Sequence, residues 1–242
     1  MSNILFEVCA NSLQSAVAAE AGGADRIELC AQLEAGGITP SAATIKMTAA
    51  QLHIPIYILI RPRSGNFLYD AYDFAVMKED ILMAKSLGAS GMVLGLLTAD
   101  GDVDVERTSA LVQLARPMKV TFHRAFDRAR NPLTALEDVI KTGADRSLTS
   151  GQAASAYLGM DLLKDLMAQA GDRITILAGA GINPKNVLEI IKGTGVTEVH
   201  ASCSALVPNG MDYISFLDSE KPHSVTDASI VKEIVTRIKS SI

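Results

Sequence analysis

Eight short apolar runs punctuate the chain, and each ends in polar residues: FEVCA, RIELCA, ILIRPR, MVLGLL, VTFHRAFD, RSLTSG, ILAGAG and EVHASC. Runs of this length with weak alternation read as strands buried on both faces. The stretches between them carry a helical period, as at Phe74, Met77, Ile81 and Ala84 within a helix over Asp73–Leu87. Asn11 is placed to cap a first helix, with Leu13, Val17 and Ala21 as its apolar positions and Gly22-Gly23 as its stop. Further helices are expected over Ser41–Gln51, Val103–Ala115 and Ala228–Ile238, and another opens at Asn131-Pro132. The fourth strand is read over Gly91–Leu97.

Strand and helix alternate through eight repeats, which predicts a parallel sheet. Eight repeats favour closure, giving an α/β fold of the TIM (β/α)8 barrel class over residues 1–242 as one domain. An open doubly wound sheet is the weaker alternative. The chain reads CANSLQSA after its first strand, without the glycine fingerprint of a dinucleotide site. The polar segment Val207–Ser224 is read as a loop over the mouth of the barrel or a subunit contact.

Composition narrows the class further. The 242 residues are 48% apolar with a net charge of −5, enough to bury a large core and without a basic stripe for nucleic acid. The N-terminus lacks a signal-peptide pattern, and no apolar stretch is long enough to span a membrane, so a cytoplasmic location is expected. Three cysteines in such a chain imply reduced thiols rather than a disulfide framework.

Barrels of this class carry their chemistry where the strands end. The runs place Glu7, Cys9, Glu28, Cys30, Arg61, Arg63, His123, Arg124, His200, Ser202 and Cys203 around one mouth. Side chains two apart share a face of a strand, so Glu7 goes with Cys9, Glu28 with Cys30, Arg61 with Arg63 and His200 with Ser202. A buried carboxylate needs a partner. Arg61, His123 and His200 are the candidates for Glu7 and Glu28. Cys9, Cys30 and Cys203 fall on three consecutive strand ends, and soft thiolates suit Cu(I). A Glu/Glu/His/His cluster holding a divalent metal is the alternative, and a plain structural role for each group is the bland one.

Read as an enzyme, the mouth would use Glu7 or Glu28 as base and His123 or His200 as proton donor. Arg61 and Arg63 would clamp a small anionic substrate, with Arg124 and Asp127 beside them. Thr149 and Ser150, together with Gly179, Gly181 and Ser202, would form an anion site at the ends of the last strands. A lyase or isomerase fits, because no nucleotide or redox cofactor motif is present. No lysine closes a strand, which disfavours a Schiff-base aldolase, and no Gly-x-Ser-x-Gly elbow occurs. A barrel plugged by its own ion pairs, acting as a scaffold, is the third reading.

The segments EVCANS, GADRIELCAQLEAGGITPS, IRPRSGNFLYD, TFHRAFD, LTSGQ, GAGI and EVHAS, in this order, make the chain resemble the CutC family, named for copper homeostasis. The resemblance runs to about residue 205. It implies a TIM barrel, a cytoplasmic location and self-association, with a homodimer expected. It also implies copper handling through the cysteines ending the first two strands, Cys9 and Cys30.

Overall fold

The computed structural model describes residues 4–208, 210 and 223–240. Every apolar run is a strand: β1 (Leu5–Ala10), β2 (Arg26–Leu29), β3 (Ile56–Leu59), β4 (Gly91–Leu94), β5 (Lys119–Phe122), β6 (Arg146–Thr149), β7 (Thr175–Gly179) and β8 (Glu198–Ala201). They pair in chain order, all parallel, and β8 closes onto β1. Outside them lie α1 (Leu13–Gly22), α2 (Ala42–Gln51), α3 (Ala71–Ser86), α4 (Val105–Ala115), α5 (Pro132–Lys141), α6 (Met160–Ala170), α7 (Val187–Thr194) and α8 (Ala228–Ser240). A two-stranded antiparallel hairpin, β9 (Ser204–Val207) with β10 (His223–Thr226), follows the last barrel strand.

Local chemistry sets most boundaries as expected. Asn131 accepts from the Leu133 and Thr134 amides ahead of Pro132, and Ser41 accepts from Thr44. Five readings need correction. Ser12, not Asn11, caps α1, and Asn11 instead bonds the Ser224 carbonyl and the Ser15 hydroxyl. The buried face of α1 is Ser15, Ala16, Ala19 and Gly22, with Val17 exposed. A close approach by α8 selects this small face, since a Cβ on Gly22 would lie 2.5 Å from Val231 Cβ. Helix α3 begins earlier than expected, after the Asp70 cap. The fourth strand stops at Leu94, and Leu97 pairs with Val103 across the Asp100-Gly101-Asp102 turn, so α4 starts after Asp104. Most of the segment Val207–Ser224 lies outside the described residues.

The strand registers, with the eight-residue shear of this barrel class, sort the inward side chains into levels of four from alternate strands. The lowest holds Arg26, Gly91, Arg146 and Glu198. Above it come Glu7, Tyr57, Thr121 and Leu177, then Glu28, Val93, Leu148 and His200, then Cys9, Leu59, His123 and Gly179. Cys30, Gly95, Ser150 and Ser202 form the rim. The glycines make room for large neighbours. A Cβ on Gly91 would sit 2.6 Å from the Tyr57 ring, and one on Gly95 would sit 2.7 Å from His123 Nδ1.

Candidate functional site at the carboxyl rim

The two lowest levels form an ionic floor. Glu7, fully buried, pairs with Arg26 through one oxygen and with His200 Nδ1 at 2.7 Å through the other. Arg26 Nη2 also donates to Glu198 at 2.7 Å, and Arg146 Nε donates to the same carboxylate at 2.9 Å. Both guanidinium groups lie against Tyr57, at 4.8 and 5.3 Å from its ring centre. Burial pushes the Glu7 carboxyl upward, but the Arg26 charge and the His200 hydrogen bond outweigh it and hold the group at about 2. Burial opposes charge on His200 as well, yet the bond to Glu7 and the Glu28 charge raise its pKa.

A depressed carboxyl pKa stabilises the fold fully above its unfolded value of 4.5, and that contribution fades as pH falls toward about 2. Glu7 accounts on this basis for a loss on the order of 3 kcal/mol in acid. Urea unfolding followed from about pH 5 to about pH 2 should show most of this loss, and Glu7→Gln should lose less over the same interval.

Above the floor opens a cavity of about 430 Å³. Cys9, Glu28, Arg61, His123, Arg124, Gly181, His200 and Ser202 line it, with Phe67 and Ala180 between them. The Cys9 thiol donates to Glu28 Oε1 at 3.6 Å, and its sulfur lies 3.8 Å from Cys30 Sγ. Glu28 Oε2 has no protein partner among the described residues. Burial, which outweighs the nearby His200 charge, raises the Glu28 pKa. The Cys30 contact, followed by burial, raises that of Cys9 well above the usual thiol range. Cys9, Glu28 and His200 offer ligand atoms within 4.8 Å of one another.

The other expected site residues are placed as follows. Among the described residues Arg61 meets no carboxylate; its guanidinium donates to the carbonyls of Ala35, Gly37 and Gly65. Arg63 turns into its own loop, bonding Asp73 at 2.8 Å and the Leu68 carbonyl at 2.7 Å, because the chain has left the strand at Leu59 and the two-residue parity no longer applies. Arg124 bonds Asp127, which also accepts from the Thr149 hydroxyl and the Ser150 amide, so these four tie the β5 and β6 loops together. Gly179 leaves space for Leu148, whose Cδ1 would lie 2.6 Å from a Cβ there, with His200 at 3.3 Å. Cys203 does not join the other thiols. Its backbone turns left-handed, at φ 48°, and its side chain packs in the outer core. Burial beside Asp227 pushes that thiol up to about 12.

His123 caps the short helical turn after β5, its Nδ1 accepting from the Ala125 amide at 3.2 Å. Burial, with the Arg61 charge, pushes its pKa down to about 3. Sequence reasoning missed Arg26, Arg146, Glu198 and Phe67. The signal for two of them was present, since Arg26 stands two before Glu28 and Glu198 two before His200.

Fold and mouth together define a TIM-barrel protein with thiols, a carboxyl group and an imidazole gathered at the carboxyl rim. The chain belongs to the CutC family, whose model matches residues 4–205. It is 52% identical over 209 residues to a family protein CutC of Chromobacterium violaceum, covering 86% of this chain and 85% of that one. It is 43% identical over 241 residues to the copper homeostasis protein cutC homolog of Homo sapiens, covering 96% and 88%. A crystal structure of a CutC protein from Streptococcus agalactiae superposes with a TM-score of 0.79 at 32% identity, covering 82% of this chain and 98% of that chain.

Proposed function

We propose that this chain handles copper in the cytoplasm by binding Cu(I) through Cys9 and Cys30. The carrying observation is the pair of free thiols, 3.8 Å apart at the ends of adjacent strands, with Cys9 lining the cavity and Cys30 behind it. Two thiolates are the soft donor set that Cu(I) prefers over the hard cations of carboxylate sites. Gly37 packs over Cys30 without a side chain, and a Cβ there would lie 3.7 Å from the sulfur. Glu28 and His200 stand within reach of Cys9 as harder donors. A reducing compartment keeps both thiols available. The raised affinity of the Cys9 thiol for its proton makes binding compete with protonation, so affinity should increase with pH.

Anaerobic titration against a chromophoric Cu(I) chelator tests the reading. Stoichiometric binding is expected for the native chain and for Cys203→Ser, and binding is expected to disappear in Cys9→Ser with Cys30→Ser. Full binding by that double variant would overturn the assignment.

A further inference from the structure

On the wall formed by β3 and β5, the cavity contains two polar groups that copper binding does not employ. Arg61 is 4% exposed. Its Nη atoms are held by three carbonyls, and its Nε, near the Tyr69 hydroxyl, makes no hydrogen bond among the described residues. Among the described residues no carboxylate lies within ion-pair distance of it. Asp127 is committed to Arg124, and Glu34 stands at the rim without reaching the guanidinium. A buried cation surrounded only by neutral dipoles is an incomplete arrangement, and an anion completes it.

His123 is the second group. It is 5% exposed, and its Nδ1 accepts the Ala125 N–H. The neutral ring therefore carries its proton on Nε2, and that donor has no acceptor among the described residues. Gly95 supplies the space the ring occupies. Phe67 stands between the two groups, 5.0 Å from the Arg61 guanidinium and 4.8 Å from the His123 ring centre. One aromatic ring thus fixes a cation and a neutral donor side by side on the wall of a small-molecule-sized cavity.

We propose that the mouth binds a short carboxylate with an oxygen on its second carbon, a 2-oxo or 2-hydroxy acid. Arg61 faces the carboxylate, with Arg124 beyond it, and His123 donates from Nε2 to the second oxygen. A neutral donor matches a carbonyl or hydroxyl oxygen, and the adjacent fixed charge matches the acid group. This site uses different side chains from the copper proposal and stands independently of it.

The test is calorimetric titration of metal-free protein, in low salt with a chelator present, using pyruvate, L-lactate, propionate and inorganic phosphate. Pyruvate or lactate is expected to saturate the protein. Propionate, which lacks the second oxygen, is expected to bind at least about tenfold more weakly, as loss of one buried hydrogen bond implies. Phosphate is also expected to bind more weakly. In His123→Asn the new side chain can still cap the turn while the Nε2 donor is gone. That variant is expected to remain folded, with a lower Tm, and to lose about tenfold in pyruvate affinity. In the native protein, the ¹⁵N resonance of His123 Nε2 is expected to carry a proton and to shift on saturation with pyruvate. Equal binding of propionate, phosphate binding as tight as pyruvate, unchanged affinity in His123→Asn, an unmoved Nε2 resonance, or no saturable binding by either acid would each overturn the proposal.

Discussion

Arg26→Met is expected to destabilise the barrel by about 3–5 kcal/mol, the cost of leaving a buried carboxylate without its cation. Arg26 joins Glu7 to Glu198 inside the ring, and both acids belong to a floor nearly closed to solvent. Methionine replaces much of the side-chain volume, so little of the loss arises from an empty space. The measurement is urea unfolding at neutral pH, and for a chain of this size the effect corresponds to roughly 6–20 °C in Tm. Much of that loss comes from stranded charge rather than from the worth of the pair. Replacing Glu7 by Gln in the same protein should therefore recover part of it, and a double-mutant cycle reads the coupling directly. A strictly additive cycle would show that the floor is not one network.

Gly151→Ala is expected to be nearly as damaging, for a different reason. Gly151 has φ +69°, and a Cβ there would lie 2.3 Å from the Gly159 carbonyl oxygen. The left-handed conformation costs a non-glycine residue about 1–2 kcal/mol, and forcing the two backbone segments apart costs about 1–3 kcal/mol more. Gly195 provides the control. It has φ +78° with nothing within 4 Å, so Gly195→Ala should show the conformational cost alone, about 1–2 kcal/mol. The displaced segment carries the Ser150 amide that helps hold Asp127, and Asp127 aims Arg124. Gly151→Ala should therefore loosen one wall of the mouth as well as the fold. The Gly195→Ala variant should leave that wall intact, as amide hydrogen exchange around Ser150 would show.

The barrel was legible because a parallel strand buried on both faces is an uninterrupted apolar run, and eight such runs with helices between them have few other ways to close. Inward parity was legible as well, since it follows from the two-residue repeat along β1, β2 and β8. Partner choice was not. Which cation reaches Glu7 depends on shear, which sets His200 beside Glu7 on one neighbouring strand and Arg26 on the other. The fate of Arg61 and Arg63 was hidden because both lie beyond the end of β3, where loop carbonyls and Asp73 compete for them. The face of α1 was missed because serine, alanine and glycine give a weak hydrophobic signal while permitting a close helix contact. Cys203 follows a strand end by sequence, but one left-handed residue removes it from the group of thiols.

The closure between β1 and β8 joins groups 193 residues apart in the chain, as the Glu7–His200 bond illustrates. A nascent polypeptide emerging from the ribosome has its first two cysteines early and the histidine that faces them very late. Half-made molecules therefore lack the finished ring and the Glu7–His200 contact that closes it. Closure of the ring is in this way the last step of assembly, and removing the Glu7–His200 bond should speed its opening between the oldest and youngest strands.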